Sequence, residues 1–521
     1  MKEKISIRDF AAFCNENLKY IIAYGFVFFI CYYKLIFSGH FYADCGVVMN
    51  FPKTTYNWLD IGRFGLVLVR KIFGTDWYNP YFEAAILVIG MMLACTIWMY
   101  FFKNLYENIS MGCLMIFSLL FTIYPMFVEQ FYFQFQSFEF SVGISLIGIA
   151  LICVYNGIEN KKKLSYVWAG MAMIVSFGIY QSFVNLYLCG GIVFFVFLTA
   201  IKKYASEEKI VKDNACKMLF FGGHFIIVFV IYQILIKSFF SSSTYLSSQV
   251  MWGKKDFSQI INELYEGIRT IFLGESNYYT NSLMICAIIV FAVIVYLFFQ
   301  KQKILTKLLQ AILLLGLLLS PFLLDIYMGT VAAIRAHVMV PFVSAFIIML
   351  ALIILSEKKN KYYLGIMYVC AGLIILMQFS DTTRLVYTYD TISKNDEKTA
   401  YQIEERIYAL DGYEKEMPVV FIGHLDGKVN GSAFKSIGDA MTTTSSFTMH
   451  YTLEPYFYWS SHHINSFYHM LGIQFATPTE EEVNIAKEYV KDKPVWPASD
   501  CVMIYNSIVI VHLSDVEEIF Q

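Results

Sequence analysis

Eleven apolar runs constrain this chain more than any motif in it. They fall near residues 20–37, 81–102, 109–125, 138–155, 164–180, 183–201, 218–237, 282–300, 305–324, 338–355 and 362–379. Each is about 17 to 23 residues long, enough for an α-helix to cross a hydrocarbon layer of about 30 Å. Helices suit that solvent because all their backbone hydrogen bonds close within the segment. Of the 521 residues, 58% are hydrophobic and 15% charged, which excludes an ordinary soluble domain. The expectation is an α-helical polytopic membrane protein with about eleven transmembrane helices.

The short connectors carry the orientation signal. Lys2, Lys4 and Arg8 precede the first run, and lysines recur at every second connector: Lys103, then Lys161 to Lys163, the group from Lys202 to Lys217, Lys301 to Lys307, and Lys358 to Lys361. This places the N-terminus in the cytoplasm, and an odd number of spans places the tail outside. Residues 381–521 carry a net charge of −11 and the preceding part +9, in keeping with that sign. The first run lacks a small-residue cleavage pattern and reads as an uncleaved anchor. The division expected is a membrane domain over 1–380 and an extracytoplasmic domain over 381–521.

Unusual residues gather on the outer side. Asp44 follows the first run, and Trp58, Leu59, Gly62, Leu66, Val69 and Phe73 recur at helical spacing. That pattern predicts a helix lying in the interface, with Arg63, Arg70 and Lys71 able to meet lipid phosphates. The stretch YPMFVEQFYFQFQSFEF sets Glu129, Gln130, Gln134, Gln136 and Glu139 among aromatics at membrane depth, where ionisable groups are costly and point to function. The competing account is a wet aromatic belt. Farther on, Asp325, Arg335 and His337 surround an apolar mouth, and Arg335 is suited to phosphate because its guanidinium fork stays charged. Lys34, in the outer half of the first span, is a further phosphate candidate, with snorkelling as its alternative role. The polar loop 238–281 predicts a short surface helix around Ile260, Leu264, Ile268 and Phe272.

An acid after the first span, the WxxxGRxG-like run Trp58 to Gly65, the many spans and an external tail resemble the GtrII-type bacterial glucosyltransferases, integral-membrane enzymes of the GT-C class. The likeness covers most of residues 1–380, although Asp44 is followed by Cys45 where the class commonly pairs acidic residues. The resemblance implies a GT-C-like fold in a bacterial plasma membrane. It also implies a polyprenyl-phosphate-linked sugar as donor, with a hexose such as glucose, and a cell-surface glycan as acceptor.

The residues fit that chemistry independently. Displacing a sugar from phosphate needs a base for the acceptor hydroxyl, whereas the phosphate leaves readily and asks for cations. Asp44 is the expected base, with Glu129 and Glu139 as substitutes. Arg335 and Arg63 are the expected partners of the donor phosphate, with His337 and Lys34 beside them. Without a DxD-like cluster no metal is invoked, and no cofactor is expected. Neither GxxxxGK[ST] nor GxGxxG occurs, and the basic residues lie on cytoplasmic connectors, so nucleotide and nucleic-acid binding are not indicated. A flippase for lipid-linked sugars is the rival from another class, but such transporters put charge at the midplane and carry repeats that are not seen here. A polysaccharide polymerase or ligase would share the outer arginines and use a diphosphate-linked donor.

The tail differs in kind. Residues 395–410 and 480–492 read as helices, Pro418 to Ile422 and Val502 to Val511 as strands, and 441–447 as a loop, which predicts a small α/β domain that helps bind the acceptor or a partner. His462, His463 and His469 have no metal-site spacing and read as surface histidines. Most of the 11 cysteines fall within the apolar runs as buried thiols, and nothing brings Cys45 and Cys501 within disulfide reach.

Overall fold

The computed structural model describes residues 6–39, 41, 45, 57–77, 79–201, 207–240, 249–357, 361–425, 446–447 and 457–515. Asp44 and residues 441–445 lie outside the described residues, and Ser446 and Phe447 form a turn. The chain divides into two compact units, one of residues 1–33 and 55–383 and the other of residues 34–54 and 384–521.

Every apolar run falls on a helix. The first part of the chain forms α1 (Ile7–Glu16), α2 (Leu18–Phe37), α3 (Asn57–Asp60), α4 (Phe64–Phe73), α5 (Pro80–Leu105), α6 (Met111–Thr122), α7 (Met126–Tyr132), α8 (Gln134–Glu159), α9 (Lys163–Ile179) and α10 (Phe183–Val196). Then follow α11 (Glu207–Phe239), α12 (Phe257–Leu273), α13 (Ser282–Phe298), α14 (Ile304–Leu319), α15 (Leu323–Met328), α16 (Met339–Glu357) and α17 (Lys361–Tyr408). Among the described residues, seven helices are long and apolar enough to cross a membrane, and the bent pair α6–α7 makes an eighth. Helices α9, α10 and α13 are apolar but shorter. The chain is therefore a mostly helical, multi-pass membrane protein, with about seven helices among the described residues able to span a membrane. The sequence-based count of eleven includes the bent pair and the three short helices.

The expected interfacial helix over 58–73 is instead two helices. Gly62 takes a φ of +77°, which glycine adopts without steric cost, and its N–H bonds the Leu59 carbonyl at 2.9 Å. Gln181 donates to the carbonyl of Ile61 at 3.0 Å across that break. Helix α4 then packs closely on α9, since a Cβ at Gly65 would stand 2.1 Å from the Val175 carbonyl oxygen. Of the three cations expected at the interface Lys71 is exposed, whereas Arg70 is fully buried and Arg63 nearly so, because both arginines find polar partners on other helices. The polar loop holds its predicted helix, α12, with Ile260, Leu264 and Ile271 buried.

Helix α17 runs for 48 residues, roughly 70 Å at 1.5 Å per residue, so it outruns a bilayer core and takes in the helix expected at 395–410. The second unit adds α18 (Phe457–Met470), α19 (Glu480–Tyr489) and a three-stranded sheet ordered β1 (Val419–Ile422), β3 (Ile508–His512), β2 (Val502–Tyr505). Strand β1 is parallel to β3, and β2 is antiparallel to it. The single strand expected over 502–511 folds back on itself because Asn506 and Ser507 adopt φ of 51° and 59°, the left-handed pair that closes a two-residue hairpin. Val483 and Ala486 of α19 and its cap residue Val490 recur at helical spacing and pack on Val420, Ile422, Ile508 and Ile510. Thr479 and Glu482 close a capping box at the start of α19.

Helix α18 has no counterpart among the sequence-based expectations; His469 is exposed as expected, whereas the other two histidines are not surface residues. His463 is buried against Phe41, with ring centroids 4.8 Å apart, rather than lying on the surface. His462 bonds the Pro478 carbonyl at 3.2 Å, and burial pulls its pKa down. Cys45 and Cys501 are buried thiols, and Cys370 is exposed on its helix rather than buried.

Candidate functional site

The site grows from a break in a span. Helices α6 and α7 meet at a bend of 64°, at Ile123, Tyr124 and Pro125. Proline cannot continue the hydrogen-bond ladder, and a bend in a membrane leaves carbonyls that something must satisfy. Side-chain hydroxyls do so here. Tyr32 donates to the Thr122 carbonyl at 2.9 Å, and Thr382 donates to that of Ile123 at 2.6 Å. A second break follows at Phe133, between α7 and α8, where Ser137 donates to the carbonyls of Phe133 at 2.7 Å and Gln130 at 3.0 Å.

Two guanidiniums flank this second break. Arg335 sits on a single turn of 3-10 helix, Ile334–Ala336, with its cation 4.2 Å from the centre of the Phe133 ring. Arg63, which leads into α4, donates to Gln136 Oε1 at 2.8 Å and lies 5.1 Å from the Tyr180 ring centre. Residues far apart in the chain thus converge on the four-residue stretch 133–136. Glu129 and Gln130 are buried on α7 just before it, and Gln134 is buried at the start of α8. The stretch read from sequence as a possible wet belt is interior.

The remaining candidates separate by their partners. Glu139 is fully buried and accepts from Thr75 Oγ1 at 2.8 Å and from Arg70 at 3.4 Å. Arg70 also pairs with Glu83 at 3.2 Å and bonds the carbonyls of Phe135 and Thr75. Its cation lies 5.3 Å from the Trp58 ring and 5.6 Å from that of Phe135. This corrects the expectation that Arg70 meets lipid phosphate: it is the centre of a buried cluster joining α4, α5 and α8. His337 is fully buried too, with both ring nitrogens engaged by Tyr279 and Asp325. Lys34 is exposed in the last turn of α2, within the second unit.

Sequence reasoning missed Glu83, Thr75, Tyr180 and Tyr279. Glu83 carried a signal, an acid at the start of an apolar run; the other three are unremarkable until the fold places them. Among the described residues, no group of three or more His, Cys, Asp or Glu side chains is arranged to hold a metal ion.

The profile of the family Glucosyl transferase GtrII matches residues 33–355, well over half of the chain and including every candidate named from sequence. Searches of curated proteins and of solved structures each returned no match. With a multi-pass helical body and a match of that extent, the chain belongs to the GtrII glucosyltransferase family.

Proposed function

We propose that this glucosyltransferase moves glucose from a polyprenyl-phosphate carrier to a cell-surface glycan on the outer face of the bacterial plasma membrane. Its membrane part, residues 1–380, is then the GT-C-like catalytic domain, and residues 381–521 are extracytoplasmic and contribute to acceptor binding. The acceptor hydroxyl oxygen attacks the anomeric carbon, and its proton passes to the carboxylate of Asp44. The bond from that carbon to the phosphate oxygen breaks, and the lipid phosphate leaves with both electrons of the bond. Growing negative charge on that oxygen is met by Arg335 and Arg63, whose forks match phosphate oxygens. A single base and a direct displacement give inversion at the sugar.

The observation that carries this reading is the convergence of Arg335 and Arg63 on the break at Phe133–Gln136. Irregular backbone at membrane depth is tolerated where it is enclosed by protein or lines a cavity, which suits a lipid-linked substrate. Glu129 stands in for Asp44 as an alternative base. Glu139 is less suited, because Arg70 and Thr75 already occupy it. Lys34 adds positive charge for the phosphate, whereas His337 serves the site from behind.

The test uses full-length protein in liposomes with polyprenyl-phosphate glucose in the membrane and an acceptor glycan outside. Glycan-linked glucose is expected without net movement of the lipid. Arg335→Lys stays impaired, since a point charge does not reproduce the fork. Donor crossing the bilayer with no glycosidic product would replace this reading with a flippase.

A further inference from the structure

We infer that Tyr279, His337 and Asp325 form a hydrogen-bonded relay that positions Arg335 for the donor phosphate, an inference that rests on the function proposed above. The three side chains come from three places: the loop between α12 and α13, the C-terminal cap of the 3-10 turn that bears Arg335, and α15. Tyr279 Oη lies 2.8 Å from His337 Nδ1, and His337 Nε2 lies 3.0 Å and 3.1 Å from the two oxygens of Asp325. Asp325 and His337 are 0% exposed and Tyr279 is 7% exposed, so none of them is presented to a substrate.

The direction of each bond follows from the carboxylate. An ionised Asp325 only accepts, so His337 Nε2 must carry a proton and donate it. In the neutral imidazole Nδ1 is then an acceptor, and the Tyr279 hydroxyl donates to it. One tautomer satisfies all three groups. Asp325 Oδ1 also accepts the backbone N–H of Ala332 at 2.8 Å, which ties the start of the Arg335 turn to the same carboxylate. Arg335 lies between these two anchors, Ala332 and His337, so the relay fixes the backbone that aims it.

The relay also reaches the broken span. The residue after Tyr279, Thr280, donates its N–H to Tyr124 Oη at 3.0 Å, and Tyr124 sits at the bend between α6 and α7. A connected path therefore runs from the bend through Tyr124, Thr280, Tyr279, His337 and Asp325 to the turn bearing Arg335, which rests on Phe133 at the far end of α7. These groups act through Arg335 and are positioning residues.

The experiment is a double-mutant cycle on the full chain, with turnover counted per folded protein in the liposome assay. Asp325→Asn keeps size and the acceptor for Ala332, but its amide donates toward Nε2 and reverses the relay. It is expected to lower kcat about tenfold, as Tyr279→Phe does to a smaller degree, with KM for the acceptor unchanged. On an Arg335→Ala background, either change is expected to cost less than twofold, because its route of action is gone. Losses that multiply with that of Arg335→Ala, or Asp325→Asn and Tyr279→Phe proteins with wild-type kcat, would overturn the relay while leaving the proposed function standing. If Arg335→Ala itself turns over normally, the donor-phosphate reading fails and takes the relay with it. Should Asp325→Asn fail to fold, Tyr279→Phe, which removes one hydroxyl and keeps the ring, decides the matter.

Discussion

Replacing Arg70 with methionine tests whether the buried cluster is held by charge. Arg70 faces Glu83 at 3.2 Å and Glu139 at 3.4 Å, and all three are sealed from solvent. At an effective dielectric of about 20, unit charges at such distances attract by roughly 5 kcal/mol per pair, which desolvation largely offsets. The net value of the pairs is therefore small, but removing one partner is not. Arg70→Met leaves two carboxylates facing each other without a cation, and deletion from a buried pair costs about 3 to 5 kcal/mol. It also strips donors from the carbonyls of Phe135 and Thr75, at about 1 to 3 kcal/mol for each that stays unsatisfied. Glu139→Gln should behave differently. One guanidinium balances only one full negative charge, Glu83 stays beside it, and the amide still accepts from Thr75, so the expected cost is about 1 kcal/mol or less. Adding Glu83→Gln and Glu139→Gln to Arg70→Met should recover at least half of its loss. Unfolding free energies in mixed micelles measure all of these variants. An Arg70→Met protein destabilised by less than about 1 kcal/mol, or a Glu139→Gln protein as damaged as Arg70→Met, would refute the reasoning.

Two further outcomes are expected. Asp44→Asn should reduce transfer about a hundredfold to ten-thousandfold while donor binding stays measurable, because the amide keeps the shape but takes no proton; normal turnover would move the base to Glu129. A reporter fused after residue 380 should be active only outside the cytoplasm, as the alternation of basic connectors requires, and cytoplasmic activity would invert every loop assignment.

Much of the fold was legible because it is local. A run of apolar side chains fixes a helix wherever it lies, and Ile260 and Leu264 announced α12 by their spacing alone. Breaks were harder. The apolar run 109–125 ends at Pro125, but the helix that follows the bend was not expected, and the bend's carbonyls are satisfied by Tyr32 and Thr382, residues remote in sequence. Helix α17 outran its expected end because Asp381 and Arg384 mark the edge of the apolar run without disfavouring helix. Helix α18 went unseen because its aromatic and polar residues show no clear apolar stripe, and packing supplies the order, as in the Phe421–Tyr468 stack at 5.3 Å.

The site was legible in its residues but not in their pairing. Depth in the membrane marks Arg70, Glu139, His337 and Arg335 alike as unusual, since each is expensive to bury. What separates them is which groups the chain brings to meet them. Arg70 and Glu139 are drawn together from positions 69 residues apart, and Thr75 completes the cluster, so their polarity is spent on holding helices in register. His337 is spent on Asp325 and Tyr279 in the same way. Arg335 lies against the face of the Phe133 ring, whose quadrupole steadies a cation at the edge of the broken span. Because Arg70 is engaged by two glutamates and two backbone carbonyls, the proposed reaction puts the functional weight on Arg335 rather than on Arg70, although Arg70 is the more deeply buried of the two.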